Sequence, residues 1–121
     1  MKKVLHLDDE RISHLIIHKM TANSNLLWEV KDSYFWKEAL ELIEQEPFDL
    51  ILADVHLQQH DQVWSMLEGM QRRKQNTPVV LVTALASEAT LREAQRFNNI
   101  RAVIEKPLPA ALLPQINQWL A

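Results

Sequence analysis

The chain has no cysteine and a single glycine, Gly69, in 121 residues. The missing thiols exclude disulfide frameworks and thiolate metal centres, and they are compatible with a reducing compartment. The lone glycine excludes more. Phosphate-cradling loops and dinucleotide fingerprints both need several glycines, because the backbone must turn tightly and approach the phosphate closely. The charge balance is mild. The net charge is -3, and no basic stripe stands out beyond the short run Arg72-Arg73-Lys74, which reads as the solvated end of a helix. No electrostatic footprint for nucleic acid follows. The start, MKKVLHLDDE, reaches acids before any long apolar stretch, so a secretory signal is not expected. Nor does any segment approach the roughly 20 apolar residues of a membrane span. A cytoplasmic location without membrane contact is the resulting expectation.

What is present describes one globular domain. A length of 121 residues is enough for one real core and too short for two ordinary domains, so residues 1–121 are expected to be a single domain. Hydrophobic residues at 47% and charged residues at 24% are ordinary for that class and argue against disorder.

Short apolar runs rich in branched residues alternate with stretches of helical period, the signature of a parallel α/β sheet. The predicted strands are Val4 to Leu7, Leu26 to Val30, Phe48 to Ala53, Val79 to Val82 and Arg101 to Ile104. Between and after them, helical stripes are predicted at Ile12, Leu15, Ile16 and Met20; at Trp36, Ala39, Leu40 and Ile43; and at Val63, Trp64, Leu67 and Met70. Two more follow, at Leu91, Ala94 and Phe97, and at Leu112, Leu113, Ile116, Trp119 and Leu120. Ser33 and Ser87 can cap the second and fourth helices, and Pro47 ends the second. Pro114 lacks the amide needed inside a helix, so an irregular start or a kink is expected in the last one. Five βα units with short connections predict a doubly wound sheet, its near-continuous apolar strands covered by helices on both faces.

In such sheets ligands bind beyond the carboxyl ends of the strands, at the switch in strand order. Those ends hold unusual chemistry. The first is followed by Asp8-Asp9, the third by Asp54, the fourth by Thr83 and, shortly after the fifth, comes Lys106. Carboxylates crowded together repel one another, and a divalent cation relieves the repulsion. All-oxygen ligands favour magnesium or manganese. Such a cation offsets charge as an aspartate attacks phosphorus, with Lys106 as a second cation and Thr83 as a hydrogen-bond donor. The set is suited to forming an aspartyl phosphate.

Asp8-Asp9, Asp54, Thr83-Ala84 and Lys106-Pro107, in that order and spacing, make the chain resemble the receiver domains of two-component response regulators over essentially its whole length. The resemblance implies the five-stranded flavodoxin-like receiver fold, (βα)5. It also implies phosphorylation of Asp54 by a histidine kinase or phosphotransfer protein, and magnesium held by Asp8, Asp9, Asp54 and the backbone carbonyl of His56. Further implications are a phosphoryl contact from Lys106 and a cis bond before Pro107. It is a signalling role rather than that of an enzyme, with limited autophosphatase activity within the scheme. Output would go through the fourth helix, fifth strand and fifth helix to a downstream protein, and homodimerisation is left open. No output domain is expected after Trp119-Leu120-Ala121, so the domain either signals by contact or is a piece of a longer regulator.

The chain also departs from the family pattern. Gln58 stands where proline is usual, Gln62 where glycine is usual, and Val103 where an aromatic switch residue is usual, three before the lysine. His56, two past Asp54, is expected to affect the lifetime of the phosphoryl group. These departures support an alternative, a phosphorylation-independent docking module on the same fold. A magnesium-dependent phosphatase with an aspartate nucleophile ranks behind both, because such enzymes usually need a second acid where His56 stands.

Simpler roles exist for single residues. Asp8-Asp9 and Asp61 can cap helices, Asp54 and Thr83 can end strands, and Lys106 can be solvated. His14 and His18, four apart, can present a zinc pair on one helix face, but no third ligand is apparent, so they are read as packed or solvated. His6 is read as a packed strand residue and His60 as a loop residue. Trp36, Trp64 and Trp119 are read as core.

Overall fold

The computed structural model describes residues 1–55 and 62–120. Among these, five strands alternate with five helices: β1 (Lys2–Leu7), α1 (Arg11–Asn23), β2 (Trp28–Ser33), α2 (Trp36–Gln45), β3 (Leu50–Asp54), α3 (Gln62–Arg72), β4 (Val79–Thr83), α4 (Glu88–Ala94), β5 (Ile100–Glu105) and α5 (Leu112–Trp119). All strand pairs are parallel, and the order across the sheet is β2-β1-β3-β4-β5. The expected doubly wound sheet is the one observed.

Alternation along the strands divides the core in two. Leu5, Leu7, Ile51, Ala53, Val79 and Leu81 face α2, α3 and α4, where Leu40, Met66, Leu67 and Met70 are buried against them. Val4, Leu50, Leu52 and Val80 face α1 and α5 and meet Ile17, Leu112, Leu113 and Ile116. Every residue of β3 and β4 is buried, which is why those runs read as nearly continuous apolar segments. Gly69 serves packing rather than phosphate binding: a Cβ there would lie 2.6 Å from Leu40 Cδ1, so its absence lets α3 sit close on α2.

Several expectations shift. β2 starts and ends later than predicted. Asn25, with a φ of 53°, turns the chain after α1, and Leu26 N–H donates back to Thr21. The strand begins only at Trp28, which is buried in the α1/α5 core and donates its indole N–H to Asn117 at 2.7 Å. As an edge strand it exposes Glu29 and Lys31, a charged pattern that blunts further pairing and hides the strand from a hydrophobic reading. Ser33 therefore ends β2 instead of capping α2, although its hydroxyl still donates to Glu38 in the first turn at 2.9 Å. Ser87 does cap α4, accepting from Thr90 N–H at 3.2 Å.

The buried stripe of α1 is rotated from the predicted one. Ile12, Leu15 and Ile16 are exposed, and His14, Ile17 and Thr21 are buried. Burial of the polar pair is tolerated because both are hydrogen-bonded, Thr21 through its hydroxyl to Ile17 O at 2.8 Å and His14 through both ring nitrogens. Leu91 is exposed as well. Trp119, at the last position of α5, is also exposed and borders a shallow hollow with Leu50, Pro78 and Arg101. Pro114 is the third residue of α5, where no intrahelical donor is required; the irregular start lies before it, where Leu112 N–H donates to Pro109.

Candidate functional site

The sheet order places the ends of β1, β3, β4 and β5 side by side, so residues far apart in the chain meet on one rim. The crossover from β1 out to β2 and back to β3 puts the switch point between Asp8 and Asp54. Lys106 Nζ bridges them: it donates to Asp54 Oδ2 at 2.7 Å and lies 3.6 Å from Asp8 Oδ2. The acid side chains are nearly sealed, 2% and 7% exposed, whereas that of Lys106 is 34% exposed. One ammonium therefore faces two buried carboxylates.

Burial pushes the Asp8 carboxyl up, but the Glu10 N–H on Oδ1 at 2.9 Å, a hydrogen bond with Asp54 and the Lys106 charge outweigh it, so the net shift is downward. Lys106 shows the mirror case. Burial pushes it down, and the bond to Asp54 with the charges of Asp54 and Asp8 carries it above the ordinary lysine value. The ammonium stays charged at neutral pH. Together the two acids gather buried carboxyl oxygens at one point, a donor set that suits a hard cation such as magnesium.

The other predicted residues are placed as follows. Asp9 follows Asp8 and is half-buried. Thr83 is buried at the end of β4, but its hydroxyl is engaged in the following turn, donating to Leu85 O at 2.9 Å and accepting from Leu85 N–H at 3.2 Å. Lys106 N–H donates to Thr83 O at 2.8 Å and ties the exit of β5 to β4. The Lys106–Pro107 bond is cis, as the resemblance implied. Val103 pairs with Leu81 and packs half-buried against the α2–α4 side of the core, leaving no ring at that position. His56, Gln58, His60 and Asp61 lie outside the described residues, as does the side chain of Gln62.

A second cluster was missed by the sequence reading. His6, His14 and Asp32 come from β1, α1 and β2 and meet beside Asp8. Burial, and secondarily the charge of His14, push the His6 pKa down to about 3, so that ring is neutral. A signal existed in the chain: the parallel register sets His6 opposite Asp32. A predicted second strand ending at Val30 concealed it.

A family model described as the response regulator receiver domain matches residues 4–117. Among solved structures, a CheY-like receiver domain protein from Methanospirillum hungatei JF-1 is similar at 25% identity with a TM-score of 0.84, covering 99% of this chain and 94% of that one. The receiver domain of the Francisella response regulator 1452 is similar at 26% identity and a TM-score of 0.75, covering 99% and 96%. The receiver domain of the sensor histidine kinase PA1611 from Pseudomonas aeruginosa PAO1, solved with magnesium coordinated in its active-site cleft, shares the fold at 19% identity and a TM-score of 0.82, covering 98% and 97%. No curated protein sequence matches the chain.

Proposed function

Since the chain belongs to the response regulator receiver domain family of two-component systems, we propose that Asp54 accepts a phosphoryl group from a partner's phosphohistidine. Residues 1–121 are read as one such domain. The family is one of signalling domains rather than enzymes, and its members work with histidine kinases or phosphotransfer proteins. The observation that carries the reading is the Lys106 ammonium 2.7 Å from Asp54 Oδ2 with Asp8 beside it, three charges from three strand ends on one rim.

In the proposed step a carboxylate oxygen of Asp54 attacks phosphorus, the donor's P–N bond breaks, and the leaving imidazole takes up a proton. Asp8, Asp9 and Asp54, with the carbonyl of His56, would hold magnesium; a Pseudomonas domain of the same fold is reported with magnesium in its active-site cleft. Magnesium supplies charge neutralisation on the transferring phosphoryl oxygens. Lys106 is already ionised and needs only to turn from the carboxylate to the new phosphoryl oxygen. Thr83 must give up Leu85 to reach that group, so phosphorylation would pull on the turn after β4 and shift the population of the α4–β5–α5 face. With Val103 in place of a ring, the readout relies on that turn and on packing rather than on an aromatic swing. Among the described residues no helix is long and apolar enough to cross a membrane.

Beryllofluoride, a phosphoryl mimic, tests the reading. Together with magnesium it is expected to raise the melting temperature of the wild-type chain, and at about 100 times its dissociation constant the gain is about 2.7 kcal/mol. Chelation or Asp54→Asn is expected to remove the gain. A melting temperature indifferent to the pair would favour the phosphorylation-independent docking module, to which Val103 already lends weight.

A further inference from the structure

The His6, His14 and Asp32 cluster has no part in the phosphoryl chemistry above. One donor atom from each lies within 4.8 Å of the others. His14 sets the chemistry. A carbonyl oxygen only accepts, so the His14 Nε2 that lies 2.8 Å from Asp8 O carries a proton and donates it there. The other ring nitrogen, Nδ1, faces His6 Nδ1 at 2.8 Å and Asp32 Oδ1 at 3.2 Å. An imidazole with one nitrogen tied to a backbone carbonyl and the other aimed at further donors is how metal-bound histidines are oriented. His18 donates from Nε2 to the same Asp32 oxygen at 2.9 Å and holds the carboxylate in place.

We propose that His6 Nδ1, His14 Nδ1 and a carboxylate oxygen of Asp32 form a second divalent-cation site, of the zinc class, separate from the oxygen-lined rim. Two imidazoles and a carboxylate are donors that zinc takes readily and magnesium does not favour. Bonds near 2.0–2.1 Å in a tetrahedral site set ligand atoms roughly 3.3 Å apart. The His14–Asp32 spacing already fits, and the two rings need to part by about half an ångström. On binding, any proton held on a ligating Nδ1 is released, since a metal-bound ring nitrogen must offer its lone pair. The cation arrives from the side of Asp32 and His18, whose side chains are 31% and 45% exposed, and water fills the fourth position. Because His14 also holds the Asp8 carbonyl, a cation here would stiffen the backbone that presents Asp8 to the rim. The site stands whether or not Asp54 is phosphorylated.

The test is a zinc titration of the full chain in excess magnesium, read by competition with a chromophoric chelator. One zinc ion per chain is expected, weakened by at least roughly tenfold in Asp32→Ala and in His14→Gln, and unchanged in Asp54→Asn. His14 is buried and its variant can fail to fold; Asp32 sits at the partly open side, so Asp32→Ala, checked by circular dichroism, carries the comparison. Absence of zinc binding to the folded wild type overturns the proposal. So does binding equal in wild type and Asp32→Ala, or binding lost with Asp54→Asn.

Discussion

Lys106→Met is expected to slow phosphoryl uptake from acetyl phosphate by roughly 10²–10³-fold, the usual cost of losing one preorganised charged contact to a transition state. Methionine keeps the reach and apolar stem of the lysine and removes only the charge. Asp54 stays in place, as does the acidic set proposed for magnesium, so binding of the cation is expected to survive or tighten. That combination separates Lys106 from a purely structural role. If it only held the ends of β4 and β5 together, its main-chain N–H to Thr83 would still do so and uptake would be unchanged. Initial rates by intact-mass sampling, with magnesium affinity measured alongside, check both halves.

The second large effect is on the fold that brings the rim together. Leu81 is fully buried in β4, between Ala53 of β3 and Val103 of β5. Leu81→Ala is expected to cost about 2–5 kcal/mol, transfer of the lost methyl groups plus a cavity that packed neighbours cannot close. Against a total stability of about 5–15 kcal/mol for a domain, that is a large fraction. Leu91→Ala is the control. Leu91 is 44% exposed, and its truncation is expected to stay within about 0.5 kcal/mol. Urea midpoints at constant slope measure both. Equal costs at the two positions would contradict the observed burial.

That contrast shows where residue patterns carry structure and where they do not. The strands buried on both faces, β3 and β4, were legible because nothing polar interrupts them until the acid or hydroxyl that ends each one. The rim was legible for the same reason: Asp54 and Thr83 stand out where apolar runs stop, and the spacing of Asp8-Asp9 and Lys106 completes the set. Patterns failed where polar side chains are buried in satisfied pairs. The α1 stripe was misplaced because His14 and Thr21 occupy core positions that a hydrophobic count assigns to Ile12, Leu15 and Ile16. β2 was misplaced because an edge strand needs only one apolar face. The two errors compound, since Asp32, which meets both His14 and His18, lies two residues past the predicted end of that strand. The half-buried packing of Val103 against Leu81 is a tertiary fact with no local signature.

The central claim is that the acid at the end of β3 is a phosphoacceptor. Its most direct measurement is the intact mass of the chain after incubation with acetyl phosphate and magnesium, for wild type and Asp54→Asn. The account predicts a single phosphoryl adduct on the wild type, suppressed by chelating the metal and absent from the variant. A wild-type chain that stays unmodified, or an adduct that persists in Asp54→Asn, would contradict it.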